Sequence, residues 1–193
     1  MTFHVKQDQT FNKYNLLIMN NKVLIDNLRS IPDFPKKGIN FRDATTLYKN
    51  AECVQIMLDE LEALYKDKGI TKIVGIESRG FVMASALAAR LKCGIVLARK
   101  PGKLPATVIK ESFSKEYGVD TIEMHIDSID ENDVVLIHDD LLATGGTAMA
   151  AYKLVQHFHP KKTYINFIIE ITDEGLHGRD QFKGIDLTTL VTI

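Results

Sequence analysis

The chain has 193 residues, 45% of them hydrophobic and 25% charged, the balance of a soluble globular protein with room for a substantial core. A formal net charge of −1 supplies no basic field for nucleic acid or an anionic membrane, so any phosphate binding must be local and built from a few placed groups. Cys53 and Cys93 stand apart, without Cys-x-x-Cys spacing, which argues against a disulfide or zinc framework and fits a reducing cytosol; no segment reads as a signal peptide or membrane span.

Residues 1–21 are polar and aperiodic and are expected to form a tail or short extension, leaving 22–193 as a single domain. Lys22 to Arg29 reads as a short helix carrying Val23, Ile25 and Leu28, and Ile31 to Gly38 as a loop punctuated by Pro and Gly. Asn50 is placed to cap a helix in which Val54, Met57, Leu58, Leu61, Leu64 and Tyr65 recur at helical spacing, with Gly69 as its stop. Ile70–Ile76 reads as a strand, Phe81–Leu91 as a small-residue helix suited to packing on a sheet, and Gly94–Ala98 as another strand. Thr121–Ile126 alternates, with Ile122, Met124 and Ile126 on one face. Val134 to His138 is a nearly continuous apolar run, as in a strand buried on both faces, ended by Asp139-Asp140 and followed by a turn and a helix over Ala148–Phe158. Lys162–Ile171 and Ile185–Ile193 read as further strands. Strands alternating with helices predict an α/β fold with a central, mostly parallel sheet flanked by helices.

In such sheets ligands bind at the carboxyl ends of the strands. The turn Ala143-Thr144-Gly145-Gly146-Thr147, between strand and helix, is a natural anion site, because unpaired N–H groups and the helix dipole converge there. It has neither the Gly-Lys-Ser/Thr of a Walker loop nor the Gly-x-Gly-x-x-Gly of a dinucleotide turn. Two acids beside a phosphate are self-defeating unless the ligand also carries a diol, since carboxylates are pure acceptors for hydroxyl protons; a ribose 5-phosphate has both groups. The plainer alternative is that the aspartates only cap the helix. Two more strands end in charged turns, Glu77-Ser78-Arg79-Gly80 and Arg99-Lys100-Pro101-Gly102-Lys103. Taken singly, Arg79 pairing with Glu77 and a solvated Arg99-Lys100 loop account for them. Taken on one rim, Ser78, Arg79 and the basic residues suit a second, more highly charged phosphate group.

Asp139 to Thr147 resembles the phosphoribosyl-diphosphate signature of the type I phosphoribosyltransferases. Three further segments narrow the resemblance to the adenine phosphoribosyltransferase family: Ile31 to Pro35 with Gly38 to Asp43, Arg99 to Pro105, and Glu116-Tyr117-Gly118. The four motifs occur in that family's order and span roughly Val23 to the C-terminus. The resemblance implies transfer of a phosphoribosyl group from phosphoribosyl diphosphate to adenine, giving AMP and pyrophosphate, with Mg²⁺ carried mainly on the diphosphate. It also implies a small N-terminal hood, a flexible catalytic loop and a homodimer, and the isolated cysteines add a cytoplasmic setting.

Residue by residue, the same resemblance assigns Ala143, Thr144, Gly145, Gly146 and Thr147 to the 5-phosphate, and Asp139 and Asp140 to the ribose hydroxyls. Arg79, in a turn that in this family often holds a cis peptide, is assigned to pyrophosphate. Ser78, Arg99, Lys100 and Lys103 assist it, Lys103 by reaching across a dimer interface. The base is assigned to Phe41 and Leu141, with backbone groups near Asn40 and Arg42 reading its edge, and Glu116 to the imidazole-ring proton of adenine. The polarity of Pro101 to Asp120 suits a lid over a reactive cation, its alternative being a plain surface hairpin. Two positions depart from the family pattern. Lys37 stands where Pro commonly precedes Gly38, and His138 occupies a normally apolar strand position, read as a core histidine with a contact to Asp139 as the alternative. His157 and His159 lack metal-ligand spacing. Competing readings are a guanine- or xanthine-using relative and a non-catalytic sensor; the sensor normally needs a basic DNA-binding segment that the first twenty-odd residues are too short to supply.

Overall fold

A computed structural model of the protein describes residues 22–115 and 118–193. The tail expected over 1–21 lies outside the described residues, as do Glu116 and Tyr117. Internal contacts divide the chain between Met57 and Leu58 into two units.

In the first unit a helical turn, α1 (residues 22–27), precedes β1 (Arg29–Pro32) and β2 (Asn40–Asp43), which pair antiparallel. The helix expected to reach Arg29 stops short because Arg29 enters a strand opposite Asp43. The Arg29 guanidinium donates from Nε to the Asp43 carboxylate at 3.0 Å. Burial pushes that carboxyl up, but the Arg29 and Thr45 hydrogen bonds outweigh it and hold it down at about 2. Between the strands, Gly38 N–H donates to Asp33 Oδ1 at 2.7 Å, and the Phe34 and Phe41 rings meet edge-on at 5.2 Å. After the short α2 (Thr45–Tyr48), Asn50 caps α3 (Ala51–Tyr65) as the sequence predicts, accepting the Glu52 N–H at 2.9 Å.

The second unit is built on a five-stranded sheet ordered β4-β3-β7-β8-β9, with every pair parallel. Its strands are β3 (Lys72–Ile76), β4 (Gly94–Ala98), β7 (Val134–Leu142), β8 (Lys162–Glu170) and β9 (Leu187–Thr192). Helix α4 (Gly80–Leu91) crosses from β3 to β4, and α5 (Gly146–Gln156) from β7 to β8. Val135, Leu136 and Ile137 are all fully buried, as three successive residues can be only when both faces of the sheet are covered. The small residues of α4 let it sit close on the sheet, with Ala84, Leu87 and Ala88 buried. Strands β5 (Val108–Lys115) and β6 (Gly118–His125) form a separate antiparallel hairpin. Ile122 and Met124 are buried as their alternation predicts, whereas Ile126 falls beyond the strand end and is 51% exposed.

One difference from the sequence reading shapes the site. Asp139 and Asp140 do not end β7; the strand continues through Leu142, paired with β8 as far as Glu170. Its pairing with β3 stops at Gly75 opposite His138. Residues 139–142 therefore keep their ladder on the β8 side while the β3 side opens into the turn after Ile76.

Candidate active site

Gly145 takes φ +82 and forms the left-handed N-cap of α5, so that Gly146 and Thr147 are already the first helical residues. The N–H groups of that first turn have no partners within the helix and converge, with the helix dipole, on one spot. The spot is a hollow of about 110 Å³ bounded by residues 141–148, Asp139 and Phe167. Phe167 is a site-lining residue that sequence reasoning missed, because it sits in a run of buried strand residues with nothing to set it apart.

A second cavity, of about 280 Å³, is lined by Glu77, Ser78, Arg79, Lys100, Asp139 and Asp140. It joins the three strand ends that the sequence placed on one rim. The Glu77–Ser78 peptide bond is cis, in the turn where the family resemblance places one. Glu77 ties two turns together, accepting the Lys100 N–H at 2.9 Å and the Arg99 Nε–H at 3.2 Å. Burial pushes the Glu77 carboxyl up, yet these donors hold it below the ordinary glutamate value. Arg99 is thus tied into the fold rather than standing in a plain solvated loop. Its guanidinium is turned to Glu77 and to the Lys103 carbonyl at 3.2 Å, and it is Lys100 that lines the cavity. Lys103 is exposed.

Arg79 does not pair with Glu77. Its Nε donates to Asp140 Oδ2 at 2.5 Å, and the Asp140 side chain is only 3% exposed. Successive strand residues point to opposite faces, so Asp139 turns the other way and lines both cavities. The Asp140 N–H donates to Asp139 Oδ1 at 2.9 Å. Burial, and then the charge of Asp140, push the Asp139 carboxyl well above the ordinary aspartate value, against the pull of that N–H and of Arg79. Gly80 makes the approach possible: a Cβ there would stand 2.8 Å from the His138 carbonyl oxygen and 2.9 Å from Asp139 Oδ1.

His138 is a core histidine. It is fully buried with Nδ1 3.0 Å from Asn166 Oδ1, and burial lowers its imidazole to about 4, so it is neutral and its partner is not Asp139. The β5–β6 hairpin packs on α5. The Phe113 ring would lie 3.2 Å from a Cβ on Gly146, and Lys153 Nζ donates to Glu111 at 3.1 Å. Glu116, which falls between β5 and β6 in the sequence, is outside the described residues. Asn40, Phe41 and Arg42 lie on β2 in the first unit, where Arg42 donates to the Ser30 hydroxyl. Leu141 lines the smaller hollow. Among the described residues no three His, Cys, Asp or Glu side chains cluster as a metal site. No described helix is long and apolar enough to cross a membrane.

Residues 43–180 match the family described as the phosphoribosyl transferase domain. The chain is 62% identical over 176 residues to an adenine phosphoribosyltransferase of Phocaeicola vulgatus, covering 91% of this chain and all of that protein. Its fold is similar to the crystal structure of adenine phosphoribosyltransferase from Rhodothermus marinus, with a TM-score of 0.84 and 42% identity over 91% of this chain and 99% of the other. It is also similar, with a TM-score of 0.78 and 27% identity over 90% of this chain and 79% of the other, to the Trypanosoma brucei enzyme in complex with AMP, pyrophosphate and ribose-5-phosphate.

Proposed function

The chain belongs to the adenine phosphoribosyltransferase family, and from that premise we propose which of its residues carry each part of the reaction. The enzyme serves purine salvage: it transfers the 5-phosphoribosyl group of phosphoribosyl diphosphate to adenine, giving AMP and pyrophosphate. A bond forms between an imidazole-ring nitrogen of adenine and the anomeric carbon. The bond from that carbon to the diphosphate oxygen breaks, its electron pair leaving with pyrophosphate, and the ring proton of adenine passes to a base. Glu116 is proposed as that base on the strength of its family motif.

The observation that carries this reading is Asp139, shared by the anion hollow and the cleft that holds Arg79 and Lys100. A ligand with a phosphate at each end of a ribose brings its sugar past this carboxylate. Residues 143–147 take the 5-phosphate, and Arg79, Lys100 and the N–H groups around Ser78 take the diphosphate. Positive charge grows on the ribose as the diphosphate departs, and Asp139 is the anion nearest to it by this reading. Asp140, buried on Arg79, holds that guanidinium toward the cleft. Arg99 acts one step back, by fixing Glu77 and the Lys100 turn. Base recognition is assigned to Asn40, Phe41, Arg42 and Leu141 on family membership. The stretch from Pro101 to Asp120 is proposed as the lid that limits water access to the cation.

The donor set suits a hard cation. A carboxylate raised by burial and a neighbouring charge gains from a divalent ion, and Mg²⁺ prefers a few carboxylate oxygens together with substrate oxygens. Mg²⁺ brought in on the diphosphate would be held near Asp139 and would supply charge neutralisation for the leaving group. The test of the whole reading is pyrophosphate release with Mg²⁺, phosphoribosyl diphosphate and each purine base in turn. Turnover is expected with adenine; none with adenine, or faster turnover with guanine or xanthine, overturns it.

A homodimer is proposed as the working unit, with Lys103 near the partner. Edge strand β4 leaves Ile95 and Leu97 exposed at 40% and 36%, and Val82 on the adjoining α4 at 47%, an apolar strip that a second copy would cover. Leu97→Glu is therefore expected to shift the mass measured by light scattering from dimer to monomer; an unchanged dimer places the interface elsewhere. Free thiols at Cys53 and Cys93 support the reducing cytoplasm as its setting.

A further inference from the structure

A 3-10 segment, Gly178–Phe182, lies against the phosphate hollow from outside. Its backbone is pressed onto the turn that forms the hollow: a Cβ on Gly178 would stand 2.2 Å from the Ala143 carbonyl oxygen, and one on Gly145 would stand 2.9 Å from the Gly178 carbonyl. The segment is anchored to the sheet by Arg179. Its Nε donates to the two Glu170 oxygens at 2.8 and 3.0 Å, and its other nitrogens reach the Leu187 carbonyl at 3.3 Å and the Thr189 hydroxyl at 3.1 Å. Glu170 is buried at the carboxyl end of β8, so this anchor belongs to the rigid core. From the anchored segment the Gln181 side-chain amide donates to the Thr144 carbonyl. Gln181 itself does not line the hollow.

We infer that Gln181 is a positioning residue for the 5-phosphate: by holding the Thr144 carbonyl outward it aims the Gly145 N–H into the hollow. The peptide between Thr144 and Gly145 is trans, and in a planar trans peptide the C=O and N–H point in opposite directions, so a donor on one fixes the aim of the other. Glycine at 145 leaves this peptide free to rotate, which gives an external restraint something to restrain. Arg179, through Glu170, sets where Gln181 stands. The inference rests on the assignment of residues 143–147 to the 5-phosphate made above.

The test is steady-state kinetics on the full-length enzyme, with thermal unfolding to confirm that each variant is folded. Gln181→Ala and Gln181→Glu are expected to raise KM for phosphoribosyl diphosphate roughly five- to tenfold, the worth of one hydrogen bond, while kcat and KM for adenine hold. Glutamate is the sharper probe, since it keeps the size of the side chain but, ionised, cannot donate. Gln181→Lys keeps a donor of similar reach and is expected to stay near wild type. Wild-type KM in both the Ala and Glu variants overturns the inference, as does a Lys variant that behaves like Ala. Thr147→Ala alters the hollow itself. If it raises KM and Gln181→Glu does not, only the role of Gln181 fails; if neither raises it, the assignment of the hollow to the 5-phosphate fails as well.

Discussion

Asp139→Asn is expected to lower turnover by about 10²–10³-fold while raising the melting temperature of the ligand-free enzyme. The loss follows from removing the negative charge nearest the developing ribose cation. The amide keeps an oxygen for the Asp140 N–H, now 2.9 Å from Asp139 Oδ1, so the strand geometry survives and the charge alone is deleted. The gain follows from the position of Asp139 in the folded chain, where burial and then Asp140 push its carboxyl well above the ordinary value. A carboxyl whose folded value is raised binds its proton more tightly folded than unfolded, so ionising it destabilises the fold. That penalty is absent below the unfolded aspartate value of about 3.9, grows as pH rises toward the folded value, and is complete above it. Each kcal/mol of relief corresponds to roughly 2–4 °C in a chain of this size. Unfolding scans at neutral pH are expected to show the gain, and scans near pH 4 to show it fading. A melting temperature that stays level at neutral pH, or a gain that widens in acid, contradicts the electrostatic account. Turnover near wild type contradicts the catalytic one.

Much of this site was legible because its signals are local. The Val134–Ile137 run can bury both faces only in a covered parallel sheet, the Gly145-Gly146 turn needs a left-handed residue before a helix, and Asn50 sits where a cap must. The three charged turns meet because β4, β3 and β7 are neighbours in a parallel sheet, which places their carboxyl ends on one rim. What was not legible depends on partners far away in sequence. Strands β1 and β2 are four residues each, too short to show a period, and exist through their mutual pairing. The continuation of β7 through Asp139-Asp140 is decided by the length of β8, which pairs with it to Leu142. Charge spacing offered Glu77 as the partner of Arg79, two residues away. In the fold Glu77 is taken by Arg99, and Arg79 reaches Asp140, 61 residues on. Gln181 carries no motif at all; only its contact with the Thr144 carbonyl marks it.

The ion pair of Arg79 with Asp140 joins the two roles that these residues play, and a pair of variants separates them. Arg79→Ala leaves a buried carboxylate without its main counter-charge. Breaking a fully buried pair costs about 3–5 kcal/mol, but the Arg79 side chain is 42% exposed and water screens part of that, so a cost of about 2 kcal/mol is expected. In a chain of this length that is a fall of roughly 4–8 °C in melting temperature. The same variant loses a guanidinium aimed at the diphosphate, and product inhibition by pyrophosphate is expected to weaken about tenfold. Adding Asp140→Asn removes the stranded charge. The double variant is then expected to recover most of the melting temperature while pyrophosphate inhibition stays weak, because restoring the fold does not restore the donor. If the double variant is no more stable than Arg79→Ala, the pair does not hold the fold in the way its burial implies. If pyrophosphate inhibition returns with stability, Arg79 is a strut for the cleft and the leaving group is held by Lys100 and the backbone N–H groups around Ser78.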